Sequence, residues 1–195
     1  MEPQFEHFPF VLVVDLEATC DDRTTKSVRV PREEMETIEI GAVLVDTRTL
    51  AKVDELGLFV RPVRHPVLTD FCKKLTTITQ VEVDGAPRFP EAAAEVERFL
   101  AGRRALFGSW GDYDRNQLAR DAAYHGVQLP FAKHHVNLKK RFSEQLGDPT
   151  RFGMDSALAR VGLTLEGTHH RGLDDARTIA RLLPWIAGRR EAENR

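Results

Sequence analysis

The stretch FVLVVDLEATC, residues 10–20, decides how the rest of the chain is interpreted. It begins with five consecutive apolar residues, several of them β-branched, which is typical of a strand buried on both faces in the middle of a sheet. Asp15 and Glu17 follow at the end of this strand. Because side chains alternate between the two faces of a strand, both carboxylates are expected on the face that carries Val11 and Val13. The ends of central strands are favoured functional sites, so a functional pair of acidic groups is predicted here.

The patterns that flank this strand predict one α/β domain with a mixed sheet. Further strands are expected at residues 37–45, 53–60 and 104–108, and a turn at residues 46–49 joins the first two as a hairpin. Proline-interrupted loops are expected between residues 60 and 90. Helices are expected at residues 90–100, 112–125, 138–146, 154–161 and 172–187. The domain is expected to span residues 1–195, with its core at residues 8–188 and a frayed, charged tail from residue 188.

The composition is that of an ordinary globular enzyme. Hydrophobic residues make up 42% of the 195 positions and charged residues 30%, which is too apolar for a disordered chain. The formal net charge of −2 argues against a large polycationic surface, but bound divalent ions can supply the positive charge that a phosphate needs. No apolar run approaches the ~20 residues that span a bilayer.

The expected location is the cytoplasm. Residues 1–10 contain no basic segment followed by an apolar core, so no secretory signal is visible. Cys20 and Cys72 are the only cysteines and form no CxxC pair. They are therefore expected to be two reduced thiols rather than a disulfide or a structural zinc site.

A second acidic segment, Gly111-Asp112-Tyr113-Asp114, follows the later strand and opens a helix. Aspartate is a common N-cap residue, because its carboxylate accepts hydrogen bonds from the free amides of the first turn. One of the two aspartates can cap the helix while the other points back toward the strand ends. The sequence leaves open which of them does so.

A third acidic group lies at the start of the last long helix. Asp175 is followed by Ile179, Leu182 and Ile186 at spacings that place all four on the stripe facing the core. An unpaired carboxylate there would be costly, and ligation of a metal removes that cost. Asp174 is turned by about 100° from this stripe and is expected to face solvent near the helix N-terminus.

Carboxylates in this arrangement predict a metal site. Two carboxylates ~4 Å apart repel by roughly 4 kcal/mol at an effective dielectric constant of about 20, and a divalent cation turns that repulsion into attraction. Oxygen-rich sites select hard ions such as Mg²⁺ or Mn²⁺. His170 precedes the last helix and has an unperturbed pKa near 6.5, which suits a general base. His169 has no such geometric argument and is interpreted as a surface or packing residue.

Together these segments resemble the DEDDh family of 3′→5′ exonucleases, which have the ribonuclease-H-like fold. The order is DxE at Asp15 and Glu17, a mid-chain aspartate at Asp114, and His-x₄-Asp at His170 and Asp175. Within that family the chain is similar to the ERI-type and KapD-like exoribonucleases. The matching stretches are VVDLEATC (residues 13–20), IEIGAVLVD (38–46), LTTITQ (75–80), SWGDYD (109–114), VNLKKRF (136–142) and HHRGLDDARTIARLL (169–183).

The resemblance implies a fold, a reaction and a set of metal ligands. The fold would be a ribonuclease-H-like mixed five-stranded sheet flanked by helices. The reaction would be 3′→5′ hydrolysis of single-stranded nucleic acid, RNA favoured and DNA possible, to nucleoside 5′-monophosphates. Asp15, Glu17 and Asp175 would hold one of two Mg²⁺ or Mn²⁺ ions, and Asp15 and Asp114 the second, while His170 would take a proton from the attacking water.

The resemblance also implies how the 3′ end is held. Ala18 and Thr19 would meet the terminal nucleotide, and Tyr113, where relatives often have Trp, could stack on a base. Ile78 could wedge against bases, although ordinary core packing explains it equally well. The remaining candidates form a basic run that either reaches phosphates or is a solvated helix face: Lys139, Lys140 and Arg141. No membrane and no obligate protein partner are expected.

Two rival functions remain at this point. A haloacid-dehalogenase-type phosphatase has a DxDx[TV] motif that resembles residues 15–19 and a GDxxxD motif that resembles Gly111-Asp112, with Asn116 in the last place. That scheme leaves His170 and Asp175 without a role. The other rival is a catalytically inactive nucleic-acid-binding module on the same fold, which would usually have lost one of the five key residues.

Overall fold

Strand β1 (Phe10–Ala18) lies at the centre of a five-stranded mixed sheet. The computed structural model describes residues 5–22 and 29–190. The other strands are β2 (Thr37–Asp46), β3 (Lys52–Phe59), β4 (Ala105–Ser109) and β5 (His135–Asn137). The α-helices are α1 (Asp70–Thr76), α2 (Gln80–Asp84), α3 (Phe89–Leu100), α4 (Tyr113–His125), α5 (Leu138–Gln145), α6 (Met154–Arg160), α7 (Gly172–Arg181) and α8 (Leu183–Ile186).

The sheet has the strand order β3-β2-β1-β4-β5. Strand β1 is antiparallel to β2 and parallel to β4, and β4 is parallel to β5. The continuous apolar run of β1 is explained by burial on both faces. Val11 and Val13 pack in one core cluster, whereas Leu12, Val14 and Leu16 pack in another on the opposite face. The mixed five-stranded sheet flanked by helices is thus as the sequence and its resemblance predict.

Two short helices correct the expectation of loops between residues 60 and 90. Their N-termini are fixed by side chains rather than by an amphipathic pattern. The Thr69 hydroxyl accepts a hydrogen bond from the amide of Cys72 at the start of α1. Thr79 and Glu82 form a reciprocal capping box at the start of α2. Such short helices have too few residues to show helical periodicity, which is why the sequence pattern missed them.

The helix expected at residues 172–187 is divided, which corrects a second expectation. Helix α7 ends at Arg181, and α8 begins at Leu183 with Pro184 in its first turn. A proline ring clashes with the carbonyl one turn earlier and offers no amide hydrogen, so the long helix cannot run through this position. Strand β5, only three residues long, was not located by sequence pattern at all.

The expected tail begins with residues that are held rather than frayed. The amide of Arg190 donates to the carbonyl of Pro184 at 3.1 Å. The Arg189 guanidinium donates to the carbonyls of Thr47 and Arg48 in the β2–β3 turn. Residues 191–195 of the tail lie outside the described residues. Among those that are described, no helix is long and apolar enough to cross a membrane.

Helix α7 approaches the sheet through two glycines. A Cβ atom at Gly41 of β2 would lie 2.0 Å from the backbone carbonyl carbon of Gly172, so no larger residue fits there without displacing the helix. The buried Glu39 carboxylate accepts a hydrogen bond from the amide of Gly172 at 2.9 Å and contacts the guanidinium of Arg171 at 3.2 Å. These contacts place the first turn of α7 beside the carboxyl-terminal part of β1.

Candidate active site

Three carboxylates from two elements meet at the end of β1. Asp15 and Glu17 project from the face of β1 that α7 covers, and Asp175 lies in the first turn of α7. One carboxylate oxygen of each lies within 4.8 Å of those of the other two. Glu17 and Asp175 are only 8% and 4% exposed. The sequence-derived helical phase is correct: Asp175 faces the cluster, whereas Asp174 instead bonds to the amide of Thr168 and to Arg177.

The cluster holds more negative charge than its surroundings compensate. Burial, followed by the charges of Asp114, Asp175 and Glu17, raises the pKa of Asp15 well above its usual range. Burial, followed by Asp175 and Glu39, raises the pKa of Glu17 to about 8. Crowded carboxylates with raised pKa values gain from a nearby cation, and a donor set made only of oxygens suits a hard divalent ion. The residues therefore fit a divalent metal site.

The structure decides between the two aspartates at the start of α4. Asp114 is buried, and its carboxylate accepts a hydrogen bond from the amide of Leu16 in β1 at 3.1 Å. Burial raises the pKa of Asp114 to about 6. Asp112 occupies the N-cap position, but its carboxylate accepts a hydrogen bond from the side-chain amide of Asn137 at 3.0 Å and lies 3.3 Å from Arg115. Asp114 is the one that points back toward the strand ends, and neither side chain caps the helix.

His170 is fixed at the edge of the cluster by its backbone. Its φ of 61° lies in the left-handed region, and its amide donates to the carboxylate of Asp175 at 2.9 Å. This conformation brings Nδ1 of the imidazole to 3.9 Å from a carboxylate oxygen of Glu17, while 42% of the side chain stays exposed. Burial, followed by the neighbouring His169, lowers the pKa of His170. A neutral, half-exposed imidazole beside the carboxylates can accept a proton.

Two further charged or titratable groups were missed by sequence reasoning. His169 is 40% exposed, but its Nδ1 also lies 3.1 Å from the carboxylate of Asp175, and its ring lies 4.0 Å from that of His170. Its interpretation as a mere surface or packing residue is therefore incomplete. Glu39 stands opposite Glu17 in the β1–β2 pair and raises the pKa of Glu17. An acidic residue inside an otherwise apolar strand was the available signal for Glu39, whereas nothing in the sequence distinguished His169.

An open cavity of about 310 Å³ surrounds the cluster. Of the proposed substrate contacts, Ala18 and Tyr113 line this cavity, and the latter is 37% exposed. Thr19 does not line it, because its hydroxyl accepts a hydrogen bond from the amide of Glu36. The other lining residues are Asp15, Leu16, Glu17, Cys20, Met35, Leu75, Trp110, Asp114, Met154, His169, His170 and Asp175.

The position of Ile78 corrects the expectation that it could contact a base. It is fully buried and packs with Leu68, Cys72 and Val83, so it cannot wedge against a base and the alternative of core packing is the right one. Leu75, three residues earlier, is partly exposed and supplies an apolar wall of the cavity instead. Helix α1 ends between the two residues, and Thr77 turns the chain there with a φ of 61°.

The basic run on α5 divides between two directions. Lys139 and Lys140 line a neighbouring cavity. The guanidinium of Arg141 donates to the carbonyl of Ile186 and lies over the ring of Phe5. Arg141 therefore packs on the far side of the helix, whereas Lys139 and Lys140 face an open surface near the site.

Comparisons with known proteins agree with this geometry. The chain matches the Exonuclease (RNase_T) family model over residues 12–183. It is 31% identical over 193 residues to ERI1 exoribonuclease 3 of Homo sapiens, covering 94% of this chain and 55% of that protein. It is 29% identical over 178 residues to the probable 3′-5′ exonuclease KapD of Bacillus subtilis (strain 168), covering 90% of this chain and 83% of that protein.

A solved structure has the same fold. It is the nuclease domain of 3′hExo, a DEDDh family member bound to rAMP, with a TM-score of 0.82 and 30% identity; the match covers 94% of this chain and 92% of that one. The chain spans about 55% of the length of ERI1 exoribonuclease 3. The resemblance to DEDDh exonucleases, and to their ERI-type and KapD-like members, is confirmed, as is the ribonuclease-H-like fold. Since the family model matches most of the sequence, the chain belongs to the RNase_T family of exonucleases.

Proposed function

We propose that the chain is a 3′→5′ exonuclease that hydrolyses single-stranded nucleic acid to nucleoside 5′-monophosphates, with RNA favoured and DNA possible. The observation that carries this proposal is the meeting of four carboxylates and His170 in one open cavity. Relatives named ERI1 exoribonuclease 3 and 3′-5′ exoribonuclease 1 support it. RNA is favoured because those names specify it, although related folds include an enzyme solved with a DNA oligonucleotide.

Two divalent ions, Mg²⁺ or Mn²⁺, are proposed as cofactors. Asp15, Glu17 and Asp175 would hold one, and Asp15 with Asp114 the other, the latter through water. When bound, such ions activate a water molecule and stabilise the charge that develops on the phosphate oxygens. The support is the oxygen-only donor set and the raised pKa values of Asp15 and Glu17. Burial raises these pKa values first and the neighbouring carboxylates second, and a bound cation offsets both effects.

The chain's own residues have separate tasks in the reaction. The neutral imidazole of His170, whose Nδ1 lies 3.9 Å from Glu17, receives the proton of the attacking water. The amide of His170 holds the Asp175 carboxylate in place at 2.9 Å. Ala18, Leu75 and Tyr113 form the walls that would orient the terminal nucleoside. Thr19 acts behind this wall, since its backbone and hydroxyl both bond to Glu36.

The wider setting is also proposed. One exonuclease domain would account for residues 8–188, binding the 3′ end of a single strand without an obligate protein partner. A cytoplasmic location is supported by the two free cysteines, of which Cys72 is buried.

The rival functions are less well supported. In the phosphatase scheme Asn116 would belong to the active site, but it lies exposed on α4, two residues from the buried Asp114. That scheme also leaves His170 and Asp175 idle, although both lie beside Glu17. An inactive binding module is disfavoured because all five residues of the set are present in the cavity.

The direct test is digestion of RNA and DNA single strands of the same sequence. With Mg²⁺ or Mn²⁺, a 5′-labelled strand should give a ladder of shortening products, and a 3′ label should leave at once as a mononucleotide. EDTA should abolish the activity. Rapid cutting of a closed circular strand, or turnover of p-nitrophenyl phosphate without any shortening of the strands, would contradict the proposal.

A further inference from the structure

A second cavity adjoins the catalytic one. It has a volume of about 470 Å³, within the ~300–1,000 Å³ range of ligand-binding sites. The two cavities share Trp110 and Tyr113, so their common wall is formed by two aromatic rings. The Trp110 ring packs on Phe142 of α5 with the ring centroids 5.7 Å apart, which holds this wall in place. The second cavity therefore begins at the residues that bound the catalytic one.

Two cationic side chains of the second cavity make no ion pair among the described residues, because the acidic side chains nearby have other partners. The carboxylate of Asp112 contacts Arg115, and that of Glu144 lies 3.6 Å from the ammonium of Lys140. The carboxylate of Asp148 accepts a hydrogen bond from the backbone amide of Thr150. The Lys139 ammonium and the Arg151 guanidinium also line this cavity. Neither makes an ion pair with any residue of the described ranges 5–22 and 29–190.

We propose that this second cavity is a subsite for the nucleotides that precede the 3′-terminal one, with Lys139 and Arg151 binding their phosphates and Tyr113 and Trp110 contacting a base. The proposal rests on the proposed exonuclease function, because it assigns the upstream part of the same strand. A terminal nucleotide in the catalytic cavity leaves its 5′ neighbour at the shared aromatic wall.

The chemistry of the cavity suits a single strand better than a small anion. Aromatic rings stack on any base, and cations that track a phosphate backbone are the common means of binding single strands without sequence preference. Lys139 is the second residue of α5 and Arg151 lies in the loop after this helix, so the two charges flank the cavity from different segments. This arrangement predicts binding that depends on strand length and on salt.

The test compares one substrate that fills only the catalytic cavity with another that extends beyond it. The short substrate is the p-nitrophenyl ester of thymidine 5′-monophosphate, and the long one is a 5′-labelled octanucleotide. The variants are Lys139→Ala with Arg151→Ala, the charge-conserving pair Lys139→Arg with Arg151→Lys, and Lys133→Ala as a matched control. Lys133 is exposed and precedes β5, at the opposite end of the strand from the site.

The double alanine variant should lower the ratio of kcat/KM for the octanucleotide to that for the ester on the order of tenfold, since exposed ion pairs are individually weak. The salt dependence of log KM for the octanucleotide should flatten by about 1.4, or about 0.7 for each lost phosphate contact. The charge-conserving pair should retain both properties, and Lys133→Ala should match the wild type.

The subsite proposal would be overturned if the double alanine variant kept the wild-type ratio of the two kcat/KM values and the wild-type salt dependence of KM. This holds even if the activities on the octanucleotide and on the ester fell together. Failure of the wild-type protein to release nucleotides from any strand would instead refute the exonuclease function, so the two failures are distinguishable.

Discussion

The catalytic cavity and the second cavity beside it are flanked on their two sides by elements that are built in different ways. On one side, α7 is pressed against β2 through Gly41 and Gly172, and the Glu39 carboxylate holds its first amide. On the other side, α5 and the loop after it present Lys139 and Arg151 to an open cavity, without ion pairs within the described residues. The first wall is made of backbone contacts and buried charge, and the second of exposed side chains.

This difference teaches where the chain tolerates change. Carboxylates that share a divalent ion must be held to within a fraction of an ångström, which requires rigid elements around them. Phosphate contacts at an exposed surface are individually weak and adaptable. We therefore expect substitutions on the α7 side to abolish chemistry or destabilise the fold, and those on the α5 side to change only the response to strand length and salt.

The largest contrast should come from two neighbouring aspartates of α7. Asp175→Asn should keep the fold but eliminate turnover, because a neutral amide removes negative charge that the proposed divalent ion needs from its ligands. Asp174→Asn should retain most activity, since within residues 5–22 and 29–190 its carboxylate bonds to the Thr168 amide and Arg177 rather than to the cluster. Nucleotide release at saturating Mg²⁺ and the melting temperature are the measurements. An inactive Asp174→Asn variant together with an active Asp175→Asn variant would mean that the site is built around the wrong carboxylate.

A general base should account for the next largest effect. His170→Ala should reduce kcat roughly 10²–10⁴-fold while leaving strand binding nearly intact. In the wild type the base acts when neutral, so activity should rise with pH through a midpoint below 6.5, because burial and His169 lower the pKa of His170. The pH–rate profile of the variant should lose this acid limb. A near wild-type rate would remove His170 from the mechanism, and His169→Ala provides the matched control for the adjacent ring.

Two glycines test the backbone contact itself. Gly41→Ala should destabilise the protein by about 1–3 kcal/mol or more, because its Cβ would meet backbone atoms of Gly172. Gly57→Ala should have little effect, since its Cβ would lie 3.1 Å from the flexible end of Leu173. Thermal unfolding should show a lower melting temperature for the first variant only. Equal melting temperatures would show that α7 can move away from the sheet without cost.

The smallest expected effect is on how the stability of the metal-free protein depends on pH. Glu17 has a pKa of about 8 in the folded chain and an ordinary value of 4.5. Between these values the folded state binds more protons than the unfolded state, so its stability decreases as pH rises. Asp15 and Asp114 shift in the same direction. The melting temperature in EDTA should therefore fall between pH 5 and pH 8, and Mg²⁺ or Glu17→Gln should reduce the fall. A rise over this range would contradict the crowded-carboxylate description.

Local patterns were sufficient for a large part of the fold and site. The apolar run of β1 predicted a strand buried on both faces, and a period of two placed Asp15 and Glu17 together. The spacing of Ile179 and Leu182 predicted that Asp175, not Asp174, faces the carboxylates. These features depend on the geometry of a single strand or helix, whose period of two or 3.6 residues appears directly in the spacing of apolar residues along the sequence.

Other features were decided by contacts between distant parts of the chain. Asp114 was separated from Asp112 only by its hydrogen bond to the amide of Leu16, 98 residues earlier in the sequence. Ile78 was a possible base contact until its packing with Val83 and Leu68 placed it in the core. His169 gained its contact with Asp175 because His170 turns the chain at a positive φ.

The sequence by itself determined the first strand, the shared face of Asp15 and Glu17 and the helical phase of Asp175, because each follows from a short local period. Only the tertiary structure decided which aspartate turns inward, which apolar residue lines the cavity and where α7 divides from α8. It also decided that Trp110 and Tyr113 stand between two cavities. The physical reason is that burial and pairing depend on neighbours brought together from far along the chain, and no local period encodes those neighbours.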